Sequence, residues 1–372
     1  MKLTIERAAL LKALAHVQSV VERRNTIPIL SNLLLEARDG QLALTATDMD
    51  LTIVEAVAAE LAEPGATTAP AHTLYDIVRK LPEGAQVQLA TDGESGHMKL
   101  TSGRSSFTLA TLPKEDFPTT GPSDLPQSFA FAASELRNLI DRTRFAISTE
   151  ETRYYLNGIY LHSANQDGVA LMRAVATDGH RLARFEMPLP EGADGMAGVI
   201  VPRKTVNELR KLIDDVDGTV EAGLSETKIR LAFDSTVLTS KLIDGTFPDY
   251  ERVIPSGNDK VMEVDRKTFA DAVDRVSTIS TEKSRAVKLS LEADTLTLSA
   301  NSPESGSAVE EIEVSYGGSP MEIGFNSRYL LDIAHQIEGE QAQFLLADAA
   351  SPTIVRDLAD TSALYVLMPM RV

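Results

Sequence analysis

The chain carries one pattern three times. From Met1, Ser128 and Val261 a short alternating stretch leads into a helical stripe and then into strands split by a polar turn. The first copy reads MKLTIERAALLKALAHVQSVV and then NTIPILSNLLLEARDGQLALTATDMDLTI. The second reads SFAFAASELRNLIDRTRFAIS and then YYLNGIYLHSANQDGVALMRAVATDGHRLARF, and the third VMEVDRKTFADAVDRVSTIS and then VKLSLEADTLTLSANSPESGSAVEEIEV. A weaker copy follows inside each: TTAPAHTLYDIVRKLPEGAQVQLA, GVIVPRKTVNELRKLI and MEIGFNSRYLLDIAHQI again lead into strands. The chain thus reads as six strand–helix–strands units in three pairs. A repeat constrains architecture before any residue has a role, and a threefold repeat without a chemical motif points to a function carried by shape.

At 372 residues the chain is long enough for two or three domains of about 100–200 residues each. Proline, glycine and acid cluster at Pro118 to Pro126 and at Asp249 to Lys260, which places boundaries near Gly121 and Pro255. Leu10, Leu14, Val17 and Val21 recur at helical spacing, as do Leu74, Val78 and Leu81, Leu136, Leu139 and Ile140, Phe269, Val273 and Val276, and Leu330, Ile333 and Ile337. Each stripe covers one side only, so these helices are expected to lie on a sheet. Gln41 to Thr45 and Thr295 to Leu298 alternate as strands do, and Asp39-Gly40 and Asp167-Gly168 are hairpin turns.

Cysteine is absent, which excludes disulfides and thiolate sites. The absence of cysteine leads us to expect a cytoplasmic protein; no apolar run approaches the roughly 20 residues that span a bilayer, and Leu3 to Ile5 already reads as a strand rather than a leader. The net charge of -18 argues, on its face, against a polyanionic partner. A polyanion feels the local field, however, because screening limits its reach to about 10 Å at 0.1 M salt. On the helix expected to open at Pro202, a residue suited to a first helical turn, Arg203, Lys204, Arg210 and Lys211 share about a third of the circumference, opposite Val206, Leu209, Leu212 and Ile213. Arg137 and Arg144 repeat that spacing on the preceding helix. A solvated outer face and a cationic binding stripe both fit this pattern.

No phosphate-binding glycine loop, no GxSxG and no histidine pair at metal-ligand spacing occurs. Two stretches stand out. Thr177-Asp178-Gly179-His180-Arg181-Leu182 reads either as an ordinary Asp-Gly hairpin end or as a catalytic loop built on Asp178 and His180. The tail Tyr365-Val366-Leu367-Met368-Pro369-Met370-Arg371-Val372 reads either as a last core strand or as the lining of an adaptable groove, a role that suits methionine.

At these residues the chain resembles the β sliding clamps of bacterial DNA polymerase III. NTIPILSNLLL, RYYLNGIYL, ATDGHRLAR, VIVPRK, GTFPDYERV and YVLMPMR carry the likeness, in order and over the whole chain. The resemblance implies an α+β fold of three clamp domains, at 1–121, 127–254 and 255–372, each a pair of β-α-β-β-β units. Two chains would join head to tail in a ring, with helices lining the inside and sheets outside. The implied function is non-catalytic: the ring encircles duplex DNA, slides without reading sequence and confers processivity. No cofactor or metal is implied. The implied partners are DNA, a second copy, the polymerase III α subunit, the clamp loader, repair proteins and other proteins with a clamp-binding motif.

The resemblance also implies roles for single residues. Arg24, Tyr154, Tyr155 and Lys204 match positions that touch DNA, with Arg203 beside the last. The partner pocket maps onto Leu156, Thr177, Gly179, His180, Arg181, Leu182, Pro248, Arg252, Val253, Val366, Met368, Pro369, Met370 and Arg371, and would take Gln-x-x-Leu-Phe motifs. Arg104 and Phe107 match one side of the ring seam, and Thr278, Ile279 and Glu304 the other. Four positions depart from the family pattern: His72 replaces a base, Glu150 a glutamine, Thr278 an apolar residue and Ser106 a base. An enzyme centred on His180 and Asp178, and a peptide-binding scaffold without DNA, are the competing readings.

Overall fold

The computed structural model describes residues 1–91, 96–119, 121, 124–280 and 285–371. Residues 120, 122 and 123 of the expected linker Pro118 to Pro126, and the terminal Val372, lie outside the described residues. Six α-helices occur among the described residues: α1 (Arg7–Gln18), α2 (Ala71–Lys80), α3 (Ala133–Thr143), α4 (Arg203–Leu212), α5 (Arg266–Ser277) and α6 (Ser327–Ala334). Each follows one strand and precedes an antiparallel run of three, so all six β-α-β-β-β units are present.

The apolar stripes explain why these segments are helical. Leu10, Ala13, Leu14 and Val17 of α1 are buried, as are Leu74 and Val78 of α2 and Phe269, Val273 and Val276 of α5. Full burial of each large apolar side chain is worth about 1.5–3 kcal/mol. Local chemistry sets several starts. The Asp265 side chain accepts from Thr268 N at α5 and Asn326 from Arg328 N at α6, while Glu135 Oε2 accepts from Ala132 N before α3. Asp39-Gly40 and Asp167-Gly168 adopt positive φ at both positions, as a two-residue hairpin turn requires. Two expectations shift. Pro202 closes the strand Val199–Pro202 instead of opening the helix, and Arg144 lies past the end of α3 in a 3-10 turn.

The opening strand of each unit pairs with the other unit of its pair. Lys2–Glu6 joins Gln86–Ala90 while Gly65–Pro70 joins Asn32–Arg38. Gln127–Ala132 joins Thr219–Leu224 while Val199–Pro202 joins Gly158–Gln166. Lys260–Asp265 joins Gln341–Leu346 while Met321–Asn326 joins Ala286–Glu292. Two units are therefore interlocked in each pair, and neither completes its sheet alone.

Two strand pairs carry sheets across the boundaries read from sequence. Leu51–Ala58 pairs with Thr236–Lys241 in an eight-stranded sheet, and Arg181–Pro188 with Ala363–Leu367 in a nine-stranded one. A five-stranded sheet ends in Ser105–Ala110 and a four-stranded sheet in Gly306–Glu313. By packing, the chain forms two compact units. One comprises Met1–Arg137, Pro190–Asp194 and Lys204–Leu242; the other comprises Asn138–Leu189, Gly195–Arg203 and Ile243–Val372. The segment 127–254 contributes to both.

Candidate functional site

The second unit holds an apolar groove with a cavity of about 290 Å³. It starts from a turn. The Asp178 carboxylate accepts from the backbone N–H of His180 and Arg181 at 2.9 and 3.0 Å, and Thr177 Oγ1 donates to Arg181 O at 2.7 Å. Gly179 takes φ +87 there, and a Cβ on it would lie 2.6 Å from Arg153 Nη1. Both the left-handed backbone and the close approach favour glycine. The strand leaving this turn pairs with the tail in the register Arg181↔Leu367 and Leu182↔Val366, and Met368 N donates to His180 O at 2.9 Å. The turn and the tail, singled out separately in the sequence, are thus stitched together by backbone hydrogen bonds.

Leu182 and Val366 are a cross-strand pair. They pack with Leu156, Val175, Ile200, Phe247 and Tyr250 in one buried cluster. Arg181 closes the base. Its Nη1 reaches Asp332 Oδ2 at 2.5 Å, Nε reaches Asp178 at 3.1 Å and Nη2 donates to Phe145 O at 2.7 Å, while the guanidinium lies 4.2 Å from the Tyr329 ring centroid. At the lip, Arg153 makes a two-point pair with Glu150 at 2.6 and 2.8 Å. This pair draws the Glu150 carboxyl below its ordinary pKa and raises that of Arg153. Glu150 thus pairs with a residue of the groove lining across an exposed ion pair.

Of the residues implied for the pocket, the lining brings together Leu156, Thr177, Gly179, Arg181, Leu182, Pro248, Val253, Val366 and Met368. His180 takes part through its backbone, with an exposed side chain. Arg252 is exposed and pairs with Asp249 at 2.7 Å. Pro369, Met370 and Arg371 line a separate concavity with Glu322 and Ala350, and Met370 N donates to Gly324 O at 2.8 Å. Arg153, Tyr155, Asp249 and Tyr250 also line the groove. Tyr250 stands in the GTFPDYERV stretch, but no spacing or pattern there marks it as part of a groove. Asp178 is engaged with backbone N–H groups and Arg181, so it does not form the Asp–His pair that an enzyme reading needs.

The residues implied for DNA contact fall in different settings. Arg24 and Arg203 are exposed and, among the described residues, free of an ion pair. Tyr154 is 54% exposed, edge-on to Tyr155 at 5.8 Å. Tyr155 is half-buried and packs against the groove cluster, so the structure places it in the groove. Lys204 Nζ reaches Asp48 Oδ2 at 2.5 Å, Glu22 Oε1 at 3.5 Å and Val20 O at 3.3 Å. Burial pushes the Asp48 carboxyl up, but Lys204 and the N–H groups of Leu51 and Asp50 outweigh it and hold the pKa low.

The cationic face of α4 is otherwise largely neutralised. Arg210 pairs with Asp214 at 2.7 Å and Lys211 with Glu208 at 2.9 Å. Arg137 donates to the carbonyls of Ile213 and Val216, each at 2.6 Å. His72 donates Nε2–H to Val21 O at 2.8 Å, and its Nδ1 lies 3.0 Å from Gln18 Oε1.

Of the residues implied for the seam, Phe107 lies on the edge strand Ser105–Ala110 and Arg104 in the turn before it. Glu304 occupies the matching turn before the edge strand Gly306–Glu313, on which Val309 is 71% exposed. Thr278 caps α5, and Ile279 follows it, half-buried.

The chain matches the DNA polymerase III beta subunit family in three parts: the N-terminal domain over residues 1–121, the central domain over 130–249 and the C-terminal domain over 251–371. A beta sliding clamp of Caulobacter vibrioides is 58% identical over 372 residues, and one of Escherichia coli is 41% identical over 372, each covering 100% of both chains. A solved sliding clamp of Bartonella birtlesii, bound to griselimycin, superposes with a TM-score of 0.98 at 53% identity, covering 100% of each chain. With its whole length matched, the chain belongs to the beta-subunit family of DNA polymerase III, the β sliding clamps.

Proposed function

We propose that two copies of this chain join head to tail in a ring that encircles duplex DNA and tethers the replicative polymerase. It is a non-catalytic processivity subunit. The observation that carries this reading is the pair of exposed edge strands, Ser105–Ala110 and Gly306–Glu313, at the ends of separate sheets. An open edge of that kind is a template for strand pairing. Joining the first edge of one copy to the last edge of another satisfies both, and a heterologous contact whose rotation closes makes a ring. The turns beside these edges carry opposite charges, Arg104 and Glu304, and Phe107 and Val309 supply apolar area. Thr278 and Ile279 belong to the same proposed seam.

Arg24, Arg203 and the exposed Tyr154 are the favoured DNA contacts. Lys204 contributes less, because Asp48 and Glu22 already share its charge. Such contacts to phosphate are independent of sequence and permit sliding. The groove takes Gln-x-x-Leu-Phe segments, with leucine and phenylalanine anchored in a desolvated pocket. Through it the polymerase α subunit, the clamp loader and repair proteins dock, and tethering raises their effective concentration at the primer end. No helix among the described residues is long and apolar enough to cross a membrane; cytoplasmic action fits the proposed partners.

The test is topological. The chain, once loaded on nicked circular DNA, is expected to stay bound and to be lost when that DNA is linearised. Equal retention on circle and line would overturn the encirclement mechanism.

A further inference from the structure

The segment Phe247 to Val253 forms one wall of the groove, with Pro248, Tyr250 and Val253 in the lining. Tyr250 offers its ring to the cavity, and its hydroxyl meets a polar cluster. His162 Nδ1 donates to Ser163 O at 2.8 Å, which leaves Nε2 of the neutral ring as an acceptor, and the Tyr250 hydroxyl donates to it at 2.9 Å. Burial, with help from the Arg173 guanidinium, keeps His162 below its ordinary pKa, so the accepting form holds at neutral pH.

Arg173 is only 8% exposed. Its Nη1 donates to Glu251 Oε1 at 2.5 Å and, at the long limit, to the Tyr250 hydroxyl at 3.4 Å. Nε donates to Glu186 at 2.7 Å and Nη2 to Gln166 at 3.1 Å. The other end of the wall is held by stacking. The His162 ring lies 4.7 Å from that of Tyr160, which lies 4.8 Å from Phe247 at an interplanar angle of 8°. The strands Gly158–Gln166 and Val169–Thr177 thus grip the wall at both ends, and neither His162 nor Arg173 lines the cavity.

A buried guanidinium between two carboxylates is a costly way to hold a loop, and apolar packing of the same volume often does as well. What the ionic set adds is direction: a satisfied network fixes where a hydroxyl points, and so the plane of its ring. We infer that His162 and Arg173 are positioning residues for the groove, setting the Tyr250 ring plane and the path of the wall, and thereby the affinity for a peptide that neither touches. This rests on the reading of the groove as the peptide site.

The test uses the full chain and a fluorescent Gln-x-x-Leu-Phe peptide, followed by anisotropy, with melting temperatures measured in parallel. Y250F keeps the ring and removes the hydroxyl; it is expected to weaken binding about threefold, and R173M about tenfold. The double variant is expected near tenfold, short of the roughly thirtyfold product, because both changes break one network. R173K, which keeps a charge for Glu251, recovers affinity to within about threefold of the parent. Parent-like binding by R173M, or singles that multiply in the double variant, overturns the inference. If R173M does not fold, Y250F decides, and parent-like affinity in it is the overturning result. A parent chain that does not bind the peptide overturns the groove reading and this inference with it; parent binding with unaffected variants overturns this inference alone.

Discussion

One turn is built twice in this molecule and used differently. In the first unit Thr47-Asp48-Met49-Asp50-Leu51 repeats the hydrogen bonds of Thr177-Asp178-Gly179-His180-Arg181 in the second. Asp48 accepts from Asp50 N and Leu51 N at 3.0 and 2.7 Å, and Thr47 Oγ1 donates to Leu51 O at 3.1 Å. Each turn feeds a strand that joins a distant partner, and each captures the end of that partner: Lys241 N donates to Asp50 O at 2.8 Å, as Met368 N does to His180 O at 2.9 Å. The side chains then diverge. In the first unit the acid of the turn meets a helix cation, Asp48 with Lys204 of α4. In the second the polarity reverses, and Arg181, at the far end of the turn, reaches Asp332 of α6. Backbone chemistry makes the turn; the ion pair and the residue at positive φ, Met49 at +77 or Gly179 at +87, decide what it presents.

The comparison can be broken in four places. Arg181→Met leaves Asp178 and Asp332 without their buried partner and is expected to cost about 3–5 kcal/mol. Lys204→Met, at a half-exposed pair, is expected to cost about 1 kcal/mol after discounting for solvent. Chemical denaturation of the two variants distinguishes them, and equal losses would mean that the reversed pairs are equivalent. Gly179→Met installs the side chain found in the first turn and displaces Arg153 from the lip. Peptide binding is expected to weaken tenfold or more, about 1.4 kcal/mol, with self-association unchanged in size measurements.

Acid probes the first turn. Asp48 has a lowered pKa in the folded state, so its pairing stabilises fully above the unfolded value of 3.8 and is lost as pH falls through the lower folded value. Thermal unfolding followed from about pH 5 down to the onset of acid denaturation should show that Lys204→Met shrinks this acid loss; the same slope in both proteins would show that Asp48 is stabilised by its backbone N–H donors alone. The smallest change is Met49→Gly, which relieves a left-handed methionine and is expected to stabilise by about 0.5–1 kcal/mol without altering peptide affinity. A loss of stability would mean that the half-exposed Met49 side chain packs usefully.

Most of the fold was legible in the sequence because its signals are local. The apolar stripes of α1, α2 and α5, the alternating strands and the Asp-Gly turns depend on residues within a few positions of one another, and the repeat multiplied each signal. Nine groove residues were legible through the family likeness. Tyr250 was not, because an aromatic in a loop carries no mark of the cavity it walls. The basic face of α4 was legible as a pattern but not as a field: whether Lys204 is available depends on Asp48, 156 positions away.

By itself, then, the sequence determined six β-α-β-β-β units, their helix faces, their turns and the family to which the chain belongs. Only the tertiary structure decided which strands pair, how the opening strands exchange between units, which cations of α4 are neutralised, and that the tail divides at Met368 between two concavities. The reason is physical. Periodicity is written over one or two turns of chain, whereas strand register and buried ion pairs are settled by geometry between residues far apart, such as Arg173 with Glu251 and Arg181 with Asp332.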